Sequence, residues 1–285
     1  MKKYTTLGEL LIDYRGFENM SQLDLATLVN VDVRTIQRWE KNITLIKPEK
    51  EEELILQTLL PYQLIRNLNA IVPISTYYDF EIKKYSLTER TNEIPSASRF
   101  KEQFHIQSER VRTIDFDLDM GFLTRFMKSN KDNSHLIDPE IIKQAIKIAP
   151  EINVLITDDS GYYSGHCIML PITIEAMNKL ESREITKEQL KISDIVDYKE
   201  QDTAVFFGYD VAGDCNDTIY YLVSKVMKFY IGIQQLDYIY CSVQSRYDSF
   251  NFTRDAGLKI VWTDEHNKNL RFHKGDFKAF LASQL

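Results

Sequence analysis

Apolar residues recur at helical spacing through the first seventy residues, then give way to shorter alternating or continuous runs. Leu7, Leu10, Leu11 and Tyr14 lie on one face of "LGELLIDYR". "SQLDLATLV" reads as a second helix, with Ser21 as N-cap and Asp24 as an acid in its first turn. Asn30 breaks that helix, and asparagine adopts positive φ more readily than most residues. Asp32 caps a third helix that runs to about Lys41. Pro48 suits the first turn of a fourth, "EKEEELILQTLL", which Pro61 ends; "YQLIRNLNAI" adds one more. Residues 1–70 are therefore expected to form an all-α domain.

Residues 71–109 have mixed charge, weak periodicity and a "PSAS" break, the pattern of a linker or arm with one strand around "YYDFEIKKY". From 110 to 285 the pattern becomes α+β. "VRTIDFDLD" alternates like a strand, and "MGFLTRFMKSN" and "DPEIIKQAIKIA" look helical. "NVLITDDSGYYSGHCIMLPIT" reads as a hairpin turning at "DDSG". After a polar, helix-rich excursion come a strand "TAVFFGYDV" and a helix "DTIYYLVSKVMKFYIGI" capped at Asp217. A strand "LDYIYCSVQ", a short helix closed by Gly257 and a strand "LKIVW" complete the order. The expectation is a two-domain chain.

One stretch carries candidate chemistry. In "VDVRTIQRWEKN" the side chains of Arg34, Gln37, Arg38 and Lys41 fall within an arc of about 100° on a helix. Val33, Ile36 and Trp39 lie on the opposite side. Arginine matches the guanine O6/N7 edge, glutamine matches adenine and lysine matches phosphate. Gln22, near the start of the preceding helix, is placed for a phosphate. The alternative is an ordinary solvated basic face over a packed one.

"SQLDLATLVNVDVRTIQRWEKN" resembles the helix-turn-helix of the Cro/phage-repressor (XRE) family. The matching residues are Ser21-Gln22, Leu25-Ala26, Val29-Asn30-Val31, Asp32, Ile36 and Trp39-Glu40. Asn30 replaces the usual glycine, and Asp32 replaces the usual Ser or Thr cap. The resemblance implies that the helix from Val33 enters the major groove of double-stranded DNA. Val33, Arg34 and Arg38 would then meet bases, with Gln37 beside them, while Gln22 and Lys41 meet phosphates. It also implies a homodimer on a two-fold site.

The order of elements from 110 onward resembles the GNAT acyltransferase superfamily, with Gly257-Leu258 at the start of its terminal strand. That resemblance implies an α+β, GNAT-like C-terminal domain that takes acetyl-CoA or another acyl-CoA. The pyrophosphate loop would correspond to "VAGDCNDTIYYL", with Val211, Ala212 and Gly213 against the cofactor. This loop has one glycine and two acids, Asp214 and Asp217, which oppose a pyrophosphate. The place of the family's tyrosine acid is taken by Thr253, with Tyr247 further upstream. No catalytic residue is assigned.

Composition narrows the picture only in part. A hydrophobic fraction of 44% supports a packed core, and a net charge of −7 argues against coating nucleic acid indiscriminately. Residues 1–50 hold eight Lys/Arg against seven Asp/Glu, whereas residues 113–285 hold nineteen against twenty-six. A nucleic-acid site is thus expected near the N-terminus. No apolar run is long enough to span a membrane, and "MKKYTTLGELL" lacks a signal-peptide core, so a cytoplasmic location is expected. Cys167, Cys215 and Cys241 have no metal spacing. "DDSG" reads as a turn, and Asp115, Asp117 and Asp119 as exposed polarity on a strand, so no metal is expected. The expected function is a sequence-specific DNA-binding transcriptional regulator. Its GNAT-like domain would sense a small ligand, bind a partner or dimerise the chain. The alternative is an active acyl-CoA-dependent N-acyltransferase fused to a DNA-binding domain.

Overall fold

The computed structural model describes residues 1–89, 94, 108–129 and 136–282. The chain divides into two compact units. Met1–Asn92 and Tyr162–Ser164 form the first, and Glu93–Gly161 with Gly165–Leu285 form the second.

The described residues of the first unit contain five α-helices: α1 (Leu7–Phe17), α2 (Gln22–Leu28), α3 (Val33–Glu40), α4 (Pro48–Thr58) and α5 (Tyr62–Leu68). Their ends follow local chemistry. Thr6 with Glu9 and Ser21 with Asp24 form reciprocal capping boxes at α1 and α2. The Asp32 carboxylate accepts from the Thr35 amide and caps α3. Pro48 opens α4, and Leu59 ends it in the left-handed conformation. Between α2 and α3 the chain reverses at Asn30, at φ 50°. Leu10, Leu11, Leu25, Ile36, Leu54 and Leu64 are fully buried, and Trp39 nearly so, in one common core. Gly8 lets α1 approach the end of α3 closely, for a Cβ there would overlap the Glu40 carbonyl.

This unit is not all-α. β1 (Lys2–Tyr4), β2 (Thr76–Asp79) and β3 (Lys84–Ser86) form a three-stranded sheet in that order. Both pairings are antiparallel, with Lys3 opposite Tyr77 and Tyr78 opposite Tyr85. Residues 76–86, read from sequence as linker or arm, are a hairpin instead. Strands of three and four residues are too short to show a period of two. Much of the remaining arm, 90–93, 95–100 and 101–107, lies outside the described residues.

The second unit is α/β, built on a seven-stranded sheet. Its strands are β4 (Val111–Thr113), β5 (Val154–Thr157), β6 (Tyr163–Ile172, in this unit from Gly165), β7 (Ala204–Gly213), β8 (Tyr238–Gln244), β9 (Lys259–Thr263) and β10 (Arg271–Gly275). The spatial order is β4-β5-β6-β7-β8-β10-β9. β7 and β8 are parallel, whereas β6–β7, β8–β10 and β9–β10 are antiparallel. The α-helices among its described residues are α6 (Phe116–Lys128), α7 (Pro139–Ile148), α8 (Ile174–Glu181), α9 (Asn216–Gly232), α10 (Phe250–Asp255) and α11 (Lys278–Ala282). α9 forms the crossover between the parallel strands, as a parallel pair requires. Its Tyr230 is buried among Phe206, Tyr238 and Phe277.

Three local expectations are corrected here. "VRTIDFDLD" is a three-residue strand followed by a helix, because the Asp115 carboxylate caps α6 by accepting from the amides of Asp117 and Leu118. Asp115, Asp117 and Asp119 therefore do not share a strand face, and Asp119 pairs with Arg112 at 2.6 Å. α9 begins one residue before Asp217, with Cys215 at its cap. Beyond "LKIVW", β10 inserts between β8 and β9, and α11 follows.

Candidate functional site

Two surfaces bring together chemistry that the core does not need. The first is α3. Its buried side is Ile36, Trp39 and Glu40, while Arg34, Gln37, Arg38 and the adjoining Lys41 are exposed and Val33 is half-buried. The exposed groups form a row of long hydrogen-bonding side chains on a helix fixed from beneath.

What fixes it is polar as well as apolar. Glu40, 8% exposed, accepts from Arg15 Nε at 2.6 Å and from Arg15 Nη2 at 3.2 Å. It also accepts from Gln22 Nε2 at 2.7 Å. Gln22 Oε1 in turn accepts from Gln37 Nε2 at 3.3 Å. Arg15 Nη1 donates to the Met20 carbonyl at 3.1 Å, at the entry to α2. One buried carboxylate thus ties α1, α2 and α3 together. Gln22 and Gln37, both expected at DNA from sequence, are joined to each other and to Glu40. Arg34, Arg38 and Lys41 project outward. The Arg15–Glu40 pair spans twenty-five residues, so no local pattern announces it.

The second surface lies where the parallel pair opens. β7 and β8 pair from Ala204 opposite Tyr238 to Gly208 opposite Ser242. Beyond that point β7 continues to Gly213 and β8 to Gln244 without pairing to each other, each still held by its other neighbour, β6 and β10. A register shift against β6 falls at the same place, between Ile168 and Met169. The carboxyl ends of parallel strands, where they part, are where open sheets take ligands.

Polar groups collect there. His166 Nε2 lies 3.2 Å from Asp210 Oδ2, and the His166 ring stands edge-on to Phe126 at 5.9 Å. Arg246 Nη2 and Nε donate to the buried Asp248 at 2.9 and 3.0 Å. Burial raises the Asp210 carboxyl, but the His166 contact and the Lys187 and Arg246 charges outweigh it and hold Asp210 below the usual range. A carboxylate-oriented imidazole is the arrangement of a general base. The His166 ring, however, has no exposed surface. Burial pushes the adjacent Cys167 thiol up to about 12, which leaves it protonated and inert.

The residues expected at a cofactor lie elsewhere in this opening. Val211, Ala212 and Gly213 sit within β7, opposite Cys167, His166 and Gly165 of β6, and not in a loop. A Cβ at Gly213 would overlap Ile219, so that glycine serves strand–helix packing. Asp214 Oδ1 accepts from Thr218 Oγ1 at 2.7 Å, which sets a buried carboxylate at the start of α9. Asp217 adds a second acid to the same turn. A pyrophosphate brought to this helix start would meet two carboxylates, so these residues do not fit the acyl-CoA cradle. Thr253 is buried, with its hydroxyl donating to the Ser249 and Phe250 carbonyls, and Tyr247 is 39% exposed. Among the described residues no group of three His, Cys, Asp or Glu is placed to hold a metal. No described helix is long and apolar enough to cross a membrane.

On β10, His273 is 1% exposed, and neither ring nitrogen has a hydrogen-bond partner among the described residues. Burial, helped by the Arg271 charge, lowers its pKa from 6.5 to about 4. The unfolded chain therefore binds a proton that the folded chain refuses between these values. Stability from this group is full above 6.5 and is lost as pH falls toward 4. At pH 5 the loss is expected to be roughly 2 kcal/mol relative to pH 7. Urea unfolding of wild type and His273→Phe at both pH values checks this. An equal acid sensitivity in the two proteins would show that His273 is not its source.

The chain matches no protein-family model. It matches no curated protein. Among solved structures it is similar to arylalkylamine N-acetyltransferase 2 from Aedes aegypti, at 12% identity and a TM-score of 0.35, over 59% of this chain and 98% of that one. It is also similar to mosquito arylalkylamine N-acetyltransferase like 5b, at 13% identity and a TM-score of 0.32, over 58% and 98%. At these values the likeness assigns no chemistry to this chain.

Proposed function

We propose that the first unit is a helix-turn-helix module that docks α3 in the major groove of duplex DNA, and that the chain is a DNA-binding regulator. The observation that carries this reading is the two-sided α3. Arg34, Arg38 and Lys41 are exposed in a row, over Ile36, Trp39 and a Glu40 locked to Arg15 and Gln22. A solvated helix face needs no such anchoring. A helix that presents side chains to base edges does, because base readout depends on placement to a fraction of an ångström. Arg34 and Arg38 are the base-reading residues and Lys41 a phosphate contact. Gln22 and Gln37 hold the geometry through Glu40, and the second unit senses a ligand or binds a partner. Fluorescence anisotropy of labelled duplexes with the full chain tests this. Binding that weakens steeply with salt is expected; no binding at low salt would overturn it.

A second reading, an acyl-CoA-dependent N-acyltransferase, is favoured by one observation: the parting of β7 and β8 at their carboxyl ends beside His166 and Asp210. Asp214 and Asp217 oppose it. Calorimetric titration with acetyl-CoA is expected to give no heat at millimolar ligand. Micromolar binding would revive the second reading.

A further inference from the structure

Lys50 stands at the wrong end of its own helix. It lies in the first turn of α4, where the helix dipole favours acids, and its neighbours Glu49 and Glu51 obey that rule. Its ammonium serves a different helix end. Lys50 Nζ donates to the Asn30 carbonyl at 2.8 Å and to the Val29 carbonyl at 3.4 Å. Both carbonyls lie just past the last turn of α2, where a cation is favoured. Backbone amides already serve the carbonyls before them: Leu25, Ala26 and Thr27 accept from Val29, Val31 and Asn30. Asn30 is also the residue at φ 50°, and only Val31 and Asp32 separate it from α3.

α3 is anchored unevenly. Its buried residues, Ile36, Trp39 and Glu40, begin at its fourth position. The far end is tied through Glu40 to Arg15 and Gln22, and just beyond it Asn42 Oδ1 accepts from the Gly8 amide at 3.0 Å. The first turn, Val33 to Thr35, buries no side chain completely.

We propose that Lys50 is a positioning residue for base readout: through the Asn30 carbonyl it fixes the first turn of α3, and with it the placement of Arg34. The inference rests on the docking of α3 in the major groove, where readout depends on such placement. Without the ammonium the core and the Glu40 anchor remain, and α3 pivots about its anchored end. Arg34, in the loosened turn, moves most. Arg38, beside Trp39 and Glu40, moves least.

Lys50→Met in the full chain is the test, with Lys50→Arg as the conservative rescue. The fold should persist, because Lys50 is half-buried and lies outside the apolar core. Hydrogen exchange without DNA is expected to quicken at least ~5-fold over residues 30–36 and to hold over 37–42. Titrations with single-base variants of a selected site supply the second readout. Discrimination at the base position that Arg34→Ala relaxes should fall roughly 5–10-fold in Lys50→Met, and discrimination at the position that Arg38→Ala relaxes should be kept. The salt dependence of binding should be unchanged, since no phosphate contact is lost. Lys50→Arg, which keeps a charged donor, should match wild type in each measurement. An even loss across all sites, with a salt slope smaller by about one, would make Lys50 a phosphate contact and overturn the proposal. Unchanged exchange at 30–36, or a Lys50→Met chain that no longer folds, would overturn it as well. A wild type that binds no duplex overturns the DNA reading, and the readout role with it. A wild type that binds, beside a Lys50→Met chain that discriminates equally well, overturns only the role of Lys50.

Discussion

Replacing Glu40 by alanine is expected to destabilise the first unit by about 3–5 kcal/mol, the cost of stripping one partner from a buried ion pair. The carboxylate receives three hydrogen bonds, two from Arg15 and one from Gln22. Without it the Arg15 guanidinium, whose side chain is 18% exposed, keeps its charge and loses its counter-ion. Gln22 loses an acceptor in the same step. Trp39 is the neighbouring residue and 5% exposed; with Trp262 of the second unit replaced by phenylalanine, its fluorescence in a urea titration reports on this unit alone. Joint replacement of Arg15 and Glu40 by methionine and leucine is expected to restore most of the loss, because a pair removed together leaves no orphaned charge. An unchanged midpoint for Glu40→Ala would show that the pair does not hold α3.

Arg38→Ala is expected to weaken binding to a selected DNA site by ~1–3 kcal/mol and to relax preference at one base position. Stability should hardly change, since Arg38 is exposed and the helix is held by Ile36, Trp39 and Glu40 beneath it. That separation distinguishes the two variants. Glu40→Ala acts on folding first and on DNA through folding; Arg38→Ala acts on DNA alone. Competition titrations with the selected site and single-base variants supply the measurement. Equal affinity of Arg38→Ala and wild type for that site would exclude Arg38 from readout.

Much of the first unit was legible because its signals are local. Ser21, Asp32 and Pro48 stand at helix starts, and Leu7, Leu10, Leu11 and Tyr14 repeat at the period that buries one helix face, whereas the Thr6–Glu9 capping box went unread. Asn30 takes the positive φ that a tight reversal needs. What sequence hid was the tertiary pairing. β1 is three residues long, and its partner β2 lies more than seventy residues away, so no periodicity marks either strand. Gln22 looked like a phosphate ligand from its place at a helix start. Its side chain is turned toward Glu40, a contact that only the packed helices create. In the second unit the "VLIT…SGYYSGHCIMLPI" hairpin and the long α9 were readable as patterns, whereas the position of β10 between β8 and β9 was not. The His166–Asp210 pair depends on the register of β6 against β7, which joins residues forty-four positions apart and which no local pattern marks. Asp214 was visible as an acid in the wrong place for a pyrophosphate, and its bond to Thr218 gives that acid a structural role.

The central claim is that α3 reads DNA sequence, and in-vitro selection tests it most directly. The full chain is incubated with a random-sequence duplex pool, and bound DNA is recovered through successive rounds. Enrichment of one motif, arranged as two related half-sites and lost when Arg34 and Arg38 are both alanine, is the predicted result. A pool that stays random with folded wild-type protein, or a motif that the double variant enriches equally well, would contradict it.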